Sequence, residues 1–358
     1  SSMKLSLFDA DSPKLARIAH EKFEDLDEDE ARRGSVEAGI TAWCRRHAEG
    51  GELVAAGHRV VHGGAAFGEP VLLDDNVLRE LDALVPLAPL HQPYCLAPIR
   101  SLRRSDPSLA QVACFDTAFH RGRPSFVERY GLPDSLFEAG IRRYGFHGLS
   151  YEYVASVLRT LAPDVARGRV IVAHLGGGAS LCALRDGRAI DTTMGFSALS
   201  GLVMSTRCGE LDPGAVLYLL RDGSRSVADV EEMLYRESGL RGISRISGDV
   251  RDLLASSSDA AREALDCFVL GIVRGIGALV AVLGGLDAFV FTAGVGENSA
   301  EIRARVARAC EWAGLAFDEE ANTRGGPCLS TTASKVSAWV VPTDEERMIA
   351  THVRTLLP

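Results

Sequence analysis

Two glycine-rich segments and three arginines carry the residue types from which a phosphate site can be built. His174-Leu175-Gly176-Gly177-Gly178-Ala179-Ser180 joins two apolar runs, and Thr292-Ala293-Gly294-Val295-Gly296-Glu297-Asn298-Ser299 follows a third and opens a helix-like stretch. Where no Cβ intervenes, backbone N–H groups close on an anion, and a segment that opens a helix adds the favourable end of its dipole. Each segment has a plain alternative, a tight loop and nothing more. The second also carries part of a dinucleotide fingerprint. Ser299 replaces its third glycine there, and Asp318 stands about where the ribose carboxylate would be sought. No G-x-x-x-x-G-K-[ST] sequence occurs, so a phosphate site here belongs to a fold other than the P-loop.

The cations point the same way. Arg59 stands in His58-Arg59-Val60-Val61-His62-Gly63-Gly64, Arg207 in Ser205-Thr206-Arg207-Cys208-Gly209 and Arg251 in Ser247-Gly248-Asp249-Val250-Arg251. Arginine grips carboxylate and phosphate oxygens in pairs and stays charged. A lone arginine is ordinarily a surface ion pair, but three at loop ends of an acidic chain favour anion binding. His62, His91, His120, His147 and His174 stand among small residues at strand ends, whereas His20, His47 and His352 read as solvated helix residues. None shows metal-ligand spacing.

The elements that must position these groups alternate between strand and helix. Strand-like runs are Lys4 to Phe8, Glu52 to His62, Gln111 to Phe115, Val170 to Leu175, Ala179 to Leu184, Ala189 to Thr192 and Phe289 to Phe291. Arg185-Asp186-Gly187-Arg188 is a hairpin turn. Helix-like runs are Leu78 to Val85, Val227 to Glu237, Ala261 to Val282, Ala300 to Ala313 and Met348 to Leu357, with Pro93 and Pro98 interrupting another. Residues 20–38 read as a charged, solvated excursion. The alternation indicates α/β layers with a domain boundary after Asp116.

Composition narrows the function classes. The 358 residues are 46% hydrophobic and 24% charged, which excludes disordered, collagenous and coiled-coil chains. A formal charge of -9 disfavours nucleic acid and anionic membrane as partners. Eight scattered cysteines without a C-x-x-C pair read as reduced core thiols in a cytoplasmic protein. No signal peptide is visible, and the apolar stretch from Ile272 to Leu286 is too short to span a bilayer.

An ordered set of motifs along nearly the whole chain resembles the acetate kinase family. It comprises Arg59-Val60-Val61-His62-Gly63-Gly64, Pro86-Leu87-Ala88-Pro89-Leu90-His91, Phe115-Asp116-Thr117-Ala118-Phe119-His120 and Arg143-Tyr144-Gly145-Phe146-His147-Gly148. His174-Leu175-Gly176, Met194-Gly195-Phe196, Thr206-Arg207-Cys208-Gly209, the Gly294 segment and Pro342-Thr343-Asp344-Glu345-Glu346 continue it. Ser1-Ser2-Met3-Lys4 resembles the end of the family's first phosphate loop, so the true chain is expected to continue upstream of Ser1.

The resemblance implies an α/β, two-domain actin-like (ribonuclease H-like) ATPase fold with a central cleft. It implies domains at 1–117 and 118–346, helix 347–358 packing back onto the first, and a homodimer; the run from Ala261 to Val282, apolar almost all round, reads either as part of its interface or as a buried core helix. The activity implied is Mg²⁺- or Mn²⁺-dependent transfer between ATP and a short-chain carboxylate: acetate, or propionate in a slightly wider pocket where Ala198 and Ser200 replace the family's common Pro and Glu. By the same resemblance, Arg59 holds the carboxylate, with Val61, Leu90 and Phe146 lining an alkyl pocket. Asp116 is the catalytic acid, although a carboxylate nucleophile with a pKa of about 4 needs no general base. His147 and Arg207 stabilise the transferring phosphoryl group. Lys4, His174, Leu175, Gly176, Gly177, Gly178, Asp249, Val250, Arg251, Gly294, Val295, Gly296, Glu297 and Asn298 contact ATP or ADP, and Glu345 helps hold the metal. One position departs: Gly177 stands where the family usually has Asn. That loss of an amide raises the alternative of a weakened nucleotide-binding protein of the same fold.

Overall fold

The computed structural model describes residues 3–23, 39–40, 42–44, 46–48, 50–221 and 223–357. Ser1-Ser2 and the excursion over residues 24–38 lie outside them. The chain divides into two compact units, Ser1–Ala118 with Asp344–Pro358, and Phe119–Thr343.

In the first unit, β1 (Met3–Phe8) pairs antiparallel with β2 (Arg17–Phe23). Residues 20–23 are therefore strand, not excursion, and His20 is not helical. β1 alternates Met3, Leu5 and Leu7 with Lys4 and Ser6, but its partner β2 runs His20-Glu21-Lys22 without the apolar alternation that betrays a strand. β3 (Ala55–Val60), β4 (Val71–Leu72) and β5 (Ala110–Phe115) form a sheet ordered β3-β5-β4, with β3 parallel to β5. Helix α1 (Asp75–Ala83) starts at Asp74, whose side chain accepts from Val77 N. Helix α2 (Gln92–Ser105) runs through both prolines expected to interrupt it. Pro93 lies in the first turn, where no intrahelical N–H bond is lost, and buried Leu96 and Ile99 hold the helix around Pro98. Leu81, Leu96 and Ile99 pack with Val60, Ala113 and Phe115 into this unit's core.

The C-terminal helix Glu345–Leu356 lies against β3 at Gly57, where a Cβ would come within 2.3 Å of Ile349 and 2.7 Å of Val353. Asp344 caps this helix and forms an ion pair with Arg17.

The second unit is built on β6 (Arg169–Leu175), β7 (Ala179–Arg185), β8 (Arg188–Thr192), β9 (Ala288–Thr292) and β10 (Ser337–Val340). Their order is β10-β9-β6-β7-β8: an antiparallel meander β6-β7-β8 continued by β9 and β10, parallel to β6. That is the sheet expected of a ribonuclease H-like unit. Asp186 and Gly187 both take positive φ, 51° and 69°, as a type I′ hairpin requires.

Helix α3 (Gly148–Leu161) covers one face, burying Tyr151, Val154 and Leu158 against Val170, Val172 and Val290. Helix α4 (Val250–Ala255) precedes α5 (Asp259–Leu283). By length and composition α5 could cross a bilayer. Its buried residues, however, fall on one stripe (Ala261, Leu265, Phe268, Ile272, Ile276, Leu279, Leu283), and its Gly275 lies against Leu181 of β7. This is the pattern of a helix seated on a sheet. The Gly294 segment is not a loop: α6 (Ala293–Asn298) and α7 (Ala300–Ala309) follow β9 directly.

Candidate functional site

The first unit gathers one group of polar side chains. Parallel pairing sets Arg59 opposite Cys114 and Val60 opposite Phe115, so Arg59 and Asp116 emerge side by side at the carboxyl ends of β3 and β5. Asp116 accepts from Arg59 Nε at 3.0 Å and, through its other oxygen, from Nη2. The carboxylate is 1% exposed while the arginine side chain is 42% exposed. Burial pushes the Asp116 carboxyl up to about 6; Arg59 opposes that shift and the negative charge of Glu345 adds to it. Asp116 in turn holds the guanidinium charged well above its ordinary range. Glu345, in the first turn of the C-terminal helix, thus joins Arg59 and Asp116 in one electrostatic group.

The backbone beside this pair is clamped. Gln92 accepts from His62 N at 3.2 Å and donates to His62 O at 3.1 Å, while Thr117 Oγ1 accepts from Gly63 N at 3.0 Å. His62 Nδ1 accepts from Gly64 N at 2.8 Å, and burial pushes this imidazole down to about 4. Val61 is buried and Leu90 half-buried. Cys95 of α2 was read as a core thiol. Its sulfur instead bonds the Val61 backbone and lies in the field of Arg59 and Asp116, with burial pushing it up. Only the packing of α2 on β3 reveals this. Lys4 is the exposed residue of half-buried β1, 3.7 Å from Glu346.

The second unit gathers another group around the Gly176–Gly178 loop between β6 and β7. A Cβ on Gly178 would lie 3.1 Å from His147 Nε2 and 3.5 Å from Arg207 Nη1, and one on Gly176 would lie 3.8 Å from His174 Nε2. The loop therefore brings three of the expected residues together. The His147 and His174 rings stack with centroids 4.1 Å apart. His147 precedes α3 in the left-handed region at φ 59°, a conformation that nothing in its sequence announces. Phe146, the expected lining residue beside it, is buried, and its carbonyl bonds His120 Nε2 at 2.9 Å. Leu175, at the end of β6, is fully buried.

Ser205, unmarked in the sequence, ties two expected segments together: its N–H donates to Gly177 O at 3.3 Å and its hydroxyl to Gly248 O at 2.9 Å. Arg207 donates to Ala198 O at 3.0 Å, and Ser200 Oγ accepts from Gly195 N at 2.9 Å, so Ala198 and Ser200 hold backbone and neighbours in place. A Cβ on Gly177 would meet nothing within 4 Å.

Elsewhere the expected residues serve local structure. Asp249 caps α4 and pairs with Arg251, whose side chain is 88% exposed; Val250 is buried. Glu297 turns inward, accepting from Ala293 N at 2.8 Å and Thr343 N at 3.0 Å. Gly294, Val295 and Gly296 coil into a helix that starts at Ala293 with φ 65°, and the Glu297 carboxylate ties the first N–H of that helix. Asn298 Nδ2 donates to Gly294 O at 2.8 Å. Asp318, the ribose candidate, caps the short helix Glu319–Thr323 instead. Buried Arg303 of α7, which sequence reading missed, donates to Gly296 O at 3.0 Å, Glu297 O at 2.7 Å and Asn322 Oδ1 at 2.8 Å. Among the described residues no three His, Cys, Asp or Glu side chains group as a metal cluster.

Comparison with known proteins decides the family. The model of the acetokinase family matches residues 7–351. The chain belongs to the acetokinase family. An acetate kinase of Methylocella silvestris is 51% identical over 318 residues, 89% of this chain and 79% of the relative. One of Rhodopseudomonas palustris is 55% identical over 304 residues, 84% and 76%. Among solved acetokinase structures, a Porphyromonas gingivalis acetate kinase superposes with a TM-score of 0.88 at 34% identity, covering 100% of this chain and 97% of its own. A Francisella tularensis propionate kinase superposes with 0.92 at 33% identity and the same coverage. The actin-like kinase fold follows, and the dinucleotide reading of the Gly294 segment falls.

Proposed function

We propose that this chain catalyses reversible ATP-dependent phosphorylation of acetate to acetyl phosphate by direct in-line transfer. The observation that carries the proposal is the Gly178 backbone with His147 Nε2 and Arg207 Nη1 beside it. Phosphoryl transfer demands little covalent chemistry from a protein and much positioning and charge compensation, which N–H donors, an imidazole and a guanidinium supply.

Acetate is already ionised at neutral pH, so it needs a holder more than a base. With Nε and one Nη2 hydrogen given to Asp116, Arg59 keeps three N–H donors for an acyl carboxylate. Asp116 then acts chiefly by orienting Arg59, and Val61 and Leu90 of the same unit supply apolar surface for a short alkyl group. Mg²⁺ accepts one or two carboxylates with phosphate oxygens and water. The donors present fit it: Glu345 adds negative charge beside buried Asp116, a combination a divalent cation relieves. Glu345 would help hold the ion, which would supply neutralisation of charge on the phosphate oxygens. Asp249 to Arg251 and Gly294 to Asn298, in the same unit as the glycine loop, complete the proposed nucleotide contacts through backbone groups and the exposed side chains of Arg251 and Asn298.

Two wider readings accompany this one. Leu270 and Val282 of α5, each 49% exposed, favour a homodimer through the face of α5 turned away from the sheet; light scattering tests it. Eight cysteines without a disulfide fit a reducing, cytoplasmic compartment.

The test is hydroxamate trapping of acyl phosphate from acetate and ATP. Arg207→Ala should lower kcat about 100-fold or more while calorimetric ATP affinity holds. ATP binding with no hydroxamate from acetate or propionate would instead mark a nucleotide-binding protein without turnover.

A further inference from the structure

The stacked imidazoles beside the glycine loop are each held from behind by a buried hydroxyl chain. His147 Nδ1 lies 2.8 Å from Ser180 Oγ, and Ser180 Oγ bonds the Tyr151 hydroxyl. His174 Nδ1 lies 2.8 Å from Ser150 Oγ, which accepts from Thr343 Oγ1 at 2.9 Å. Ser150, Tyr151 and Ser180 are all completely buried, and Ser150 and Tyr151 are consecutive residues in the first turn of α3.

Proton accounting gives these chains a direction. Tyr151 is buried with Ser180 as its hydroxyl partner, so its proton goes to Ser180 Oγ; the reverse would strand a buried phenol donor. Ser180, itself completely buried, has its own proton to place, and His147 Nδ1 is the acceptor beside it. In the second chain Thr343 donates to Ser150, whose own buried proton finds its acceptor in His174 Nδ1. Both imidazoles thereby carry their proton on Nε2, the nitrogen facing Gly178 in one ring and Gly176 in the other.

We propose that Tyr151 with Ser180, and Thr343 with Ser150, are positioning residues that lock His147 and His174 as Nε2–H donors toward the phosphate oxygens held by the Gly176–Gly178 loop. The proposal rests on reading that loop as the phosphate site. An imidazole with its proton on Nδ1 would instead turn a lone pair toward an anion. The two chains thus convert a residue that can accept or donate into one that only donates. Because Ser150 and Tyr151 share one helical turn with His147 at its start, a single element orients both rings.

The test combines ring ¹⁵N spectra of ¹⁵N-histidine-labelled protein, the His147 signals assigned by loss in His147→Gln, with steady-state kinetics on the same samples. Wild-type His147 should show a bare Nδ1 and a protonated Nε2. In Tyr151→Phe, Ser180 becomes free to accept, and the Nδ1–H form of His147 should appear. There kcat should fall about tenfold, the low end of the effect of removing a group that orients a functional imidazole, with KM for acetate and ATP within about twofold. Ser180→Ala should fall at least as far. An Nδ1–H ring in the wild type, or a Tyr151→Phe spectrum unchanged, overturns the proposal whatever the rate does. A shifted spectrum with intact kcat overturns it differently, because His147 then does not act on the phosphoryl group. If Tyr151→Phe fails to fold, Ser180→Ala is read by the same two measurements.

Discussion

Gly177→Asn isolates one side chain at the phosphate loop. Gly177 is absent from the residues with left-handed backbone, and a Cβ there meets no atom within 4 Å, so asparagine enters without strain or collision. The substitution should leave folding intact or stabilise it by about 0.4–1 kcal/mol, since glycine loses the most freedom on ordering. Its functional effect is set by what an amide finds beyond the loop. Neighbouring residues 176 and 178 face His174 Nε2, His147 Nε2 and Arg207 Nη1, donors that an anion unites. If a nucleotide phosphate occupies that position, the new Nδ2–H gains a hydrogen bond to a charged oxygen, worth about 1.5–3 kcal/mol. At about 1.4 kcal/mol per decade, KM for ATP should drop by roughly 10- to 150-fold. The assay is hydroxamate formation at saturating acetate with ATP varied, alongside a thermal melt. A well-folded Gly177→Asn protein whose KM and kcat for ATP match the wild type would refute the placement of phosphate at this loop. A fall in Tm would refute the claim that the position is open.

Three further substitutions probe the supports. Gly57→Val should push the C-terminal helix off β3, costing about 1–3 kcal/mol in urea melts and lowering kcat through displacement of Glu345; unchanged stability would mean Ile349 and Val353 move aside freely. Arg303→Met should strip the donors from Gly296 O and Glu297 O, destabilise by about 2–4 kcal/mol and raise KM for ATP; a rise in KM without lost stability would contradict its role as internal scaffold. Burial raises the Asp116 carboxyl to about 6 in the folded chain, above an unfolded value near about 4, so the native state binds more protons between those values. Its stabilising contribution is full below about pH 4 and is lost as pH rises through 6. Asp116→Asn, without Mg²⁺, should flatten that slope in urea melts collected from pH 4 to 7.

What could be read from the sequence was local chemistry; what could not was who stands behind it. Apolar runs ending in glycine announced β3, β6 and β9, because a buried strand and its exit turn are written in consecutive residues. The β1–β2 ladder was invisible at His20 to Lys22, because exposed strands lack an apolar face to alternate. The Gly294 segment misled for the opposite reason. Two glycines read as loop, yet the Glu297 carboxylate caps Ala293 N and draws the segment into α6. Cys95, Ser205 and Arg303 escaped notice because their partners are 34 (Val61), 28 (Gly177) and 7 (Gly296) positions away, on other elements.

The left-handed residues show where local propensity yields to the site. His147 at φ 59° and Ala293 at φ 65° each adopt a conformation that costs a non-glycine residue about 1–3 kcal/mol, and each immediately precedes or begins a short-range helix, α3 or α6. In both places a side-chain bond holds the turn: Ser180 Oγ of β7 bonds the His147 ring, and Glu297, one helical turn onward, accepts from Ala293 N. Neither strain is relieved by glycine, although glycines stand at positions 145, 148, 294 and 296 around them. At His147 the reason is chemical, since only a side chain there reaches Gly178. At Ala293 the left-handed turn redirects the chain from β9 into α6, so that the Gly294 and Gly296 backbone follows without a Cβ. The two strained residues thus serve different ends: His147 brings an imidazole to the glycine loop, and Ala293 lets the Gly296 backbone pack closely on Phe291 and Ala173.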